Sequence, residues 1–286
     1  MNQTTSSLET QETEQLTVIK PSRGWAWIDL RELWRYRELV YFLVWRDVKV
    51  RYKQTLLGAA WAILKPFLSM VIFTVIFSGL ANLDTDGAPP PVFYFSGLLP
   101  WMLFQDGVAK AGNSLVTGSS LITKVYFPRI AIPLASVLSG VVDFALSFLV
   151  LIGMMIYYGV RPTDAIWTLP LFLLLALVTA LGVGLWLSAL NVQYRDVGYV
   201  TPFLLQAWMY ASPVVYSATL IPEGWARIAY GLNPMAGVVQ GFRWAILGVG
   251  EPPSGLIILS IVMAISLLIS GMLYFKRMER TFADVV

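Results

Sequence analysis

The 286-residue chain is 57% hydrophobic and 13% charged, against roughly 45–50% apolar and about 25% charged in soluble domains, which excludes an ordinary soluble protein and predicts an integral membrane one. With no cysteine and no histidine, a disulfide framework, a cysteine metal cluster, and the commonest metal ligand and general base are all excluded. The formal net charge is only +3, so where the cations lie carries more information than their sum.

Residues 1–28 are polar, acidic and rich in Ser, Thr and Glu before turning apolar and basic. They lack the basic start and short apolar run of a signal peptide, and a mobile cytoplasmic tail is expected. Residues 29–53 mix cations, among them Arg46, Lys49, Arg51 and Lys53, with apolar runs too short to span; Trp34, Tyr41, Trp45 and Tyr52 favour the headgroup level. This pattern predicts an amphipathic helix lying in the membrane interface. Residues 54–286 then carry six apolar stretches. The first, 56–80, exceeds the roughly 20 residues needed to cross a hydrocarbon core. Its one charge, Lys65, lies near the inner end, where it can snorkel to water. After a loop of acids, glycine and three prolines comes the second stretch, 93–115. Its Asp106 and Lys110 stand four apart on one helix face and are expected to neutralise each other.

Residues 121–133, LITKVYFPRIAIP, follow. A helix is expected up to Phe127, where Pro128 ends it, and Pro133 falls near the start of the next. This segment is either a basic loop that only orients the chain or a lever on which a partner pushes. The third stretch, 130–158, holds Asp143 about 20 Å along the helix at 1.5 Å per residue. A carboxylate at that depth is either functional or hydrogen-bonded between helices. In the fourth stretch, 165–190, Gly182 and Gly184 permit close helix packing. A second charged turn, 191–198, leads to the fifth, 199–215, with Pro202 in its first turn. Residues 220–250 are apolar but broken by Pro222, Pro234 and several glycines. Asn233 and Pro234 read as an N-cap and a first helical position, with Gly248 just past the end, so two short helices dipping into the outer leaflet are expected. The sixth stretch is 256–275, and Lys276, Arg277 and Arg280 follow it.

Six crossings put both termini on one side. With the N-terminus inside, fifteen of the twenty cations fall on inner segments, so the positive-inside rule predicts cytoplasmic termini. No phosphate-binding loop, HExxH, nucleophile elbow or dinucleotide fingerprint occurs in the sequence. Central acids are few for a proton relay. A permease driven by a separate ATPase is the economical reading, carrying a glycan or, alternatively, a drug or small lipid, against a membrane-embedded enzyme or a secondary transporter working through Asp143. The aromatics at Tyr94, Trp101, Phe104, Trp208, Tyr210 and Tyr216 either form lipid-facing belts or line a path on which sugar rings stack and slide.

The motifs RYKQTLLGAAWAILKPF at 51–67, GLLPW at 97–101, VYFPR at 125–129, YRDV at 194–197 and NPMAGVVQGFR at 233–243 occur in an order and spacing that resembles the membrane subunit of bacterial ABC exporters for polysaccharides, the O-antigen, capsule and teichoic-acid permeases. The likeness runs from about residue 30 to the end of the sequence. It implies an all-α membrane protein of six transmembrane helices per subunit in the inner membrane, assembled as a homodimer with two copies of a nucleotide-binding ATPase subunit. ATP and magnesium would be held by that partner, leaving no catalytic residue, metal site, cofactor or nucleic-acid contact in this chain. It further implies a coupling segment at 119–130, in which Lys124, Val125, Tyr126, Phe127, Pro128 and Arg129 meet the ATPase, and a re-entrant outer segment at 220–248. The implied cargo is an undecaprenyl-diphosphate-linked glycan, its headgroup met by Arg46, Lys49, Arg51 and Lys53 unless these only bind anionic lipid, its sugars passing Tyr94, Trp101, Phe104, Asp143, Trp208, Tyr210 and Tyr216.

Overall fold

The computed structural model describes residues 30–53, 58, 60–124, 126–222, 224–250, 255–279 and 282. The expected tail, Val125, Arg280 and the first residues of the first apolar stretch lie outside these. Among the described residues every regular element is helical: α1 (Leu30–Arg35), α2 (Arg37–Lys53), α3 (Ala60–Phe73) widening into a π-helix (Thr74–Leu80), α4 (Pro90–Thr117), α5 (Ser119–Lys124), α6 (Ala131–Tyr158), α7 (Leu169–Gln193), α8 (Asp196–Tyr210), α9 (Trp225–Gly231), α10 (Pro234–Leu247) and α11 (Gly255–Met278). Short 3-10 turns cover Asp164–Thr168 and Ala218–Leu220.

Local chemistry sets several of these ends. The prolines that close the loop after the π-helix also start α4, with Pro89 as its N-cap and prolines in its first positions, where a missing amide hydrogen costs nothing. Asn233 caps α10 by accepting from the Met235 amide, and Gly248 ends it with a left-handed φ of 69°, a conformation that suits glycine. Two expectations shift. Helix α5 covers Ser119–Lys124 and Phe127 is not helical, because the residue before a proline is biased out of the helical region. Helix α8 starts three residues early, so Pro202 is interior to it.

Among the described residues four segments are long and apolar enough to cross a membrane: Ala60–Leu80, Ala131–Tyr158, Asp164–Gln193 and Gly255–Met278. Their outer faces expose ridges such as Val71, Ile72 and Val75 on α3 and its π extension, Leu149, Ile152 and Ile156 on α6, and Ile258, Val262, Ile265 and Ile269 on α11. Apolar surface on that scale is stable against lipid and not against water, as in a multi-pass membrane protein. Helices α4 and α7 form the central pair; α6 flanks α4, α11 flanks α7, and α10 wedges against α4, α7 and α11. Gly184 lets α7 close on α4, since a Cβ there would come within 2.6 Å of Ala111 Cβ. Gly182 does the same toward α11, where a Cβ would stand 2.7 Å from the Leu268 backbone nitrogen.

Candidate functional site

Helix α2 lies along the first half of α6. It buries the aliphatics Val40, Leu43 and Val48 and exposes the aromatics Tyr41, Phe42 and Trp45 beside the charged Arg37, Glu38, Lys49 and Lys53. Near its end Arg51 and Tyr52 reach Asp143: Arg51 Nη1 donates to Oδ2 and the Tyr52 hydroxyl to Oδ1. Arg51 Nη2 also donates to Ser139 Oγ at 3.1 Å, and Lys110 Nζ lies 3.4 Å from Asp143 Oδ2. The expected pair within α4 is therefore not the one that forms. Lys110 turns to Asp143 on α6, and Asp106 takes Lys65 of α3 at 2.9 Å. Burial first, and then the bond to Asp143, push the Tyr52 hydroxyl up to about 12, so it stays a donor through neutral pH.

These groups wall a cavity of about 390 Å³ between the end of α2 and helices α3, α4 and α6, whose remaining lining includes Trp61, Met102, Leu103 and Phe144. Three cations face two carboxylates across it, Arg51, Lys65 and Lys110 against Asp106 and Asp143. The other expected headgroup residues lie away from it: Arg46 pairs with Asp47 at 2.8 Å, Lys49 stands over the Trp45 ring at 5.2 Å, and Lys53 is exposed.

In the segment between α5 and α6, Lys124 and Tyr126 face outward, Tyr126 with 63% of its surface exposed. Phe127 turns inward at 6% exposure and joins a buried cluster with Leu43, Ile130, Phe275 and Phe282. Pro128 is half-buried. Arg129 does not point outward either; its Nη1 donates to the Glu279 carbonyl at 2.6 Å.

The six aromatics separate by burial. Tyr94, Trp101 and Phe104 are wholly enclosed, Trp208 and Tyr216 are half-buried, and Tyr210 is half exposed. Trp101 and Phe104 pack at a tilt with ring centroids 5.3 Å apart, Phe104 meets Trp208 edge to face at 5.0 Å, and the Trp208 indole donates to Asn233 Oδ1 at 2.9 Å. Asn233 in turn donates to the Ala211 carbonyl and to Ser212 Oγ.

Arg243 lies in the 220–250 stretch expected at the outer leaflet, and it is 4% exposed. Its guanidinium donates to the carbonyls of Phe93, Pro213, Val214 and Tyr216 and lies 3.7 Å from the Phe93 ring centroid. The sequence held one usable signal: an arginine between Phe242 and Trp244 inside an apolar helix must find internal acceptors. Gly97 leaves room for it, since a Cβ there would come 2.6 Å from Arg243 Nη2.

The chain is 32% identical over 215 residues to the O-antigen export system permease protein RfbA of Myxococcus xanthus, covering 75% of this chain and 82% of that protein. It is 26% identical over 250 residues to the protein of the same name from Klebsiella pneumoniae, covering 87% and 95%. Similarity extends to the polysialic acid transport protein KpsM of Escherichia coli, at 23% over 204 residues, 71% of this chain and 78% of that one. The profile of the ABC-2 type transporter matches residues 38–247, from the second residue of α2 to the last of α10, and the chain belongs to the ABC-2 type transporter membrane family.

Proposed function

We propose that this chain is the permease subunit of an ABC exporter that moves a lipid-linked polysaccharide of the O-antigen kind across the bacterial inner membrane, powered by ATP hydrolysis on a separate subunit. The observation that carries the proposal is similarity along most of the chain to permeases named for O-antigen export. In this reading residues 54–286 form one transmembrane domain. Its six crossings are α3 with its π extension, α4, α6, α7, α8 and α11, with both termini cytoplasmic. Helices α9 and α10 form the re-entrant outer segment, and α2 rests at the inner interface. Two copies assemble with two ATPase subunits, which hold ATP and magnesium.

Helix α8 has 15 residues, about 22 Å, short of a 30 Å hydrocarbon core. The irregular stretch after it completes the fifth crossing, because the Ala211, Pro213, Val214 and Tyr216 carbonyls are supplied by Asn233 and Arg243. Irregular backbone at membrane depth is stable only when its polar groups are met inside the protein.

Residues 119–130 dock the ATPase. Lys124 and Tyr126 present the contact, while Phe127 and Arg129 fix it to the permease. Arg51, Lys65 and Lys110 around the cavity attract the diphosphate of the carrier lipid at the inner side, assisted by Arg46, Lys49 and Lys53. The glycan then slides along Trp208, Tyr210 and Tyr216, with the Tyr94–Trp101–Phe104 group backing that surface.

Affinity purification of the tagged chain from its host in mild detergent tests this. An ATPase subunit should come with it in equal number and be lost in Lys124→Glu combined with Tyr126→Ala, and deletion should leave lipid-linked glycan inside the cell. Purification of a chain that carries no ATPase, or deletion that leaves surface glycan intact while abolishing export of small amphiphiles, overturns the proposal.

A further inference from the structure

Helix α11 is held at both ends by groups remote in sequence. At its inner end Arg129 donates to the Glu279 carbonyl at 2.6 Å, and Lys276 pairs with the Glu279 carboxylate at 2.6 Å. Phe127 shares one buried cluster with Phe275 and Phe282, whose rings meet edge to face at 5.2 Å, and Phe282 has no exposed surface. The segment between α5 and α6 is thus bound to the far end of a helix some 150 residues away. At the outer end of α11, Ser260 Oγ donates to the Gly231 carbonyl at 3.0 Å and lies 3.4 Å from the Asn233 carbonyl. Those two carbonyls form the junction between α9 and α10. Contact there is close, because a Cβ on Gly237 of α10 would come 2.7 Å from Ser260 Oγ. About 22 Å of continuous helix separates Ser260 from Phe275 at 1.5 Å per residue.

We propose that α11 is a second mechanical arm between the docking segment and the outer segment, parallel to α6, with Arg129, Phe127 and Phe282 as its inner positioning residues and Ser260 as its outer one. The proposal rests on the reading of residues 119–130 as the docking element. Helix α6 takes a push on Pro128 through the chain itself, whereas α11 takes it through the Arg129 hydrogen bond and the phenylalanine cluster. A hydrogen-bonded helix transmits displacement along its axis with little compression, so a push that Phe127 and Phe282 pass to Phe275 through their shared cluster arrives at the α9–α10 junction. Coupling then depends on side chains that touch neither the ATPase nor the cargo.

The absence of cysteine permits a single reporter, Trp225→Cys on the exposed start of α9, in the complex with its ATPase reconstituted in liposomes. Its thiol-labelling rate should change between the ATP-bound and nucleotide-free states. Phe282→Ala should keep the ATPase bound and its turnover within about twofold, while export and the labelling change fall about tenfold, within the range of ordinary coupling energies. Phe282→Leu should restore most of both. If Phe282→Ala does not assemble, Ser260→Ala decides from the other end, with the labelling change lost and the ATPase retained. Wild-type export and labelling in an assembled Phe282→Ala or in Ser260→Ala overturn the second arm. Failure of the parent chain to retain any ATPase is a separate result, which removes the docking reading itself.

Discussion

Asp143 shows how a charge is kept deep in an apolar helix. A bare carboxylate there costs several kcal/mol, but both of its oxygens are engaged, by Arg51 with Lys110 and by Tyr52. Such a carboxylate serves as a joint between α2, α4 and α6 and is poorly suited to ferrying protons. Asp143→Asn leaves two cations facing each other, and we expect a loss of about 2 kcal/mol or more, read as a lower melting temperature in detergent. Adding Arg51→Met should recover part of the loss, as expected of residues that interact directly. Tyr52 adds a pH term. Its folded value is raised to about 12 from an ordinary 10.0, so its contribution is complete below pH 10 and is lost as pH rises through about 12. Arg243 is the stricter case. Each buried carbonyl left without a donor costs about 1–3 kcal/mol, so Arg243→Met should destabilise by at least about 3 kcal/mol. Arg243→Lys should recover little, because an ammonium cannot reproduce the fork that spans four carbonyls. A melting temperature within a few degrees of wild type in Arg243→Lys would refute this account. That Asp143 needed partners was legible in the sequence; which partners was not, since Arg51 is 92 positions away and the nearer spacing pointed Lys110 at Asp106.

The apolar stretches predicted from the sequence and the observed helices agree within a few residues wherever the hydrophobic run is long, as in α6, α7 and α11, because burial in lipid and helix hydrogen bonding favour the same boundaries. Gly182 and Gly184 were legible as contact points for a similar reason: small residues in an otherwise bulky helix mark where backbones meet. The element-scale prediction follows from that crossing. A side chain at position 182 would run into the α11 backbone, not into a flexible side-chain end. Gly182→Leu should therefore push α7 and α11 apart and lower stability by about 2–3 kcal/mol, whereas the same change at Gly153, which has no neighbour within 4 Å, should be nearly neutral. Equal melting temperatures for the two variants would show that the crossing is loose. The segment between α5 and α6 read less well. Its proline stop was visible, but the inward turn of Phe127 and the capture of Arg129 by Glu279 depend on where α11 ends in space, which local sequence does not encode.

At the scale of the whole molecule, composition and packing point to different numbers of crossings. Four segments meet a criterion of length and apolarity; α4 and α8 do not. Helix α4 has 28 residues, about 42 Å, longer than the hydrocarbon core. It is the most enclosed helix, lying between α6, α7 and α10, so it touches little lipid and need not be uniformly apolar; its Asp106 and Lys110 are paired across helices. A helix walled by protein can cross with polar residues that a lipid-facing one cannot carry. The two counts predict opposite topologies. With six crossings and an inner N-terminus, the loop at Arg161 lies outside and the turn at Tyr194 inside. With only the four apolar segments crossing, α4 and α8 no longer reverse the chain, and the two positions exchange sides. Both residues are exposed, and the chain has no cysteine to confuse the result. In intact cells whose outer barrier has been opened, a membrane-impermeant maleimide should label Arg161→Cys at once and Tyr194→Cys only after the inner membrane is permeabilised. The reverse pattern would establish four crossings and place residues 119–130 on the outer face, where no ATPase can reach them, which would sink the docking role proposed for them.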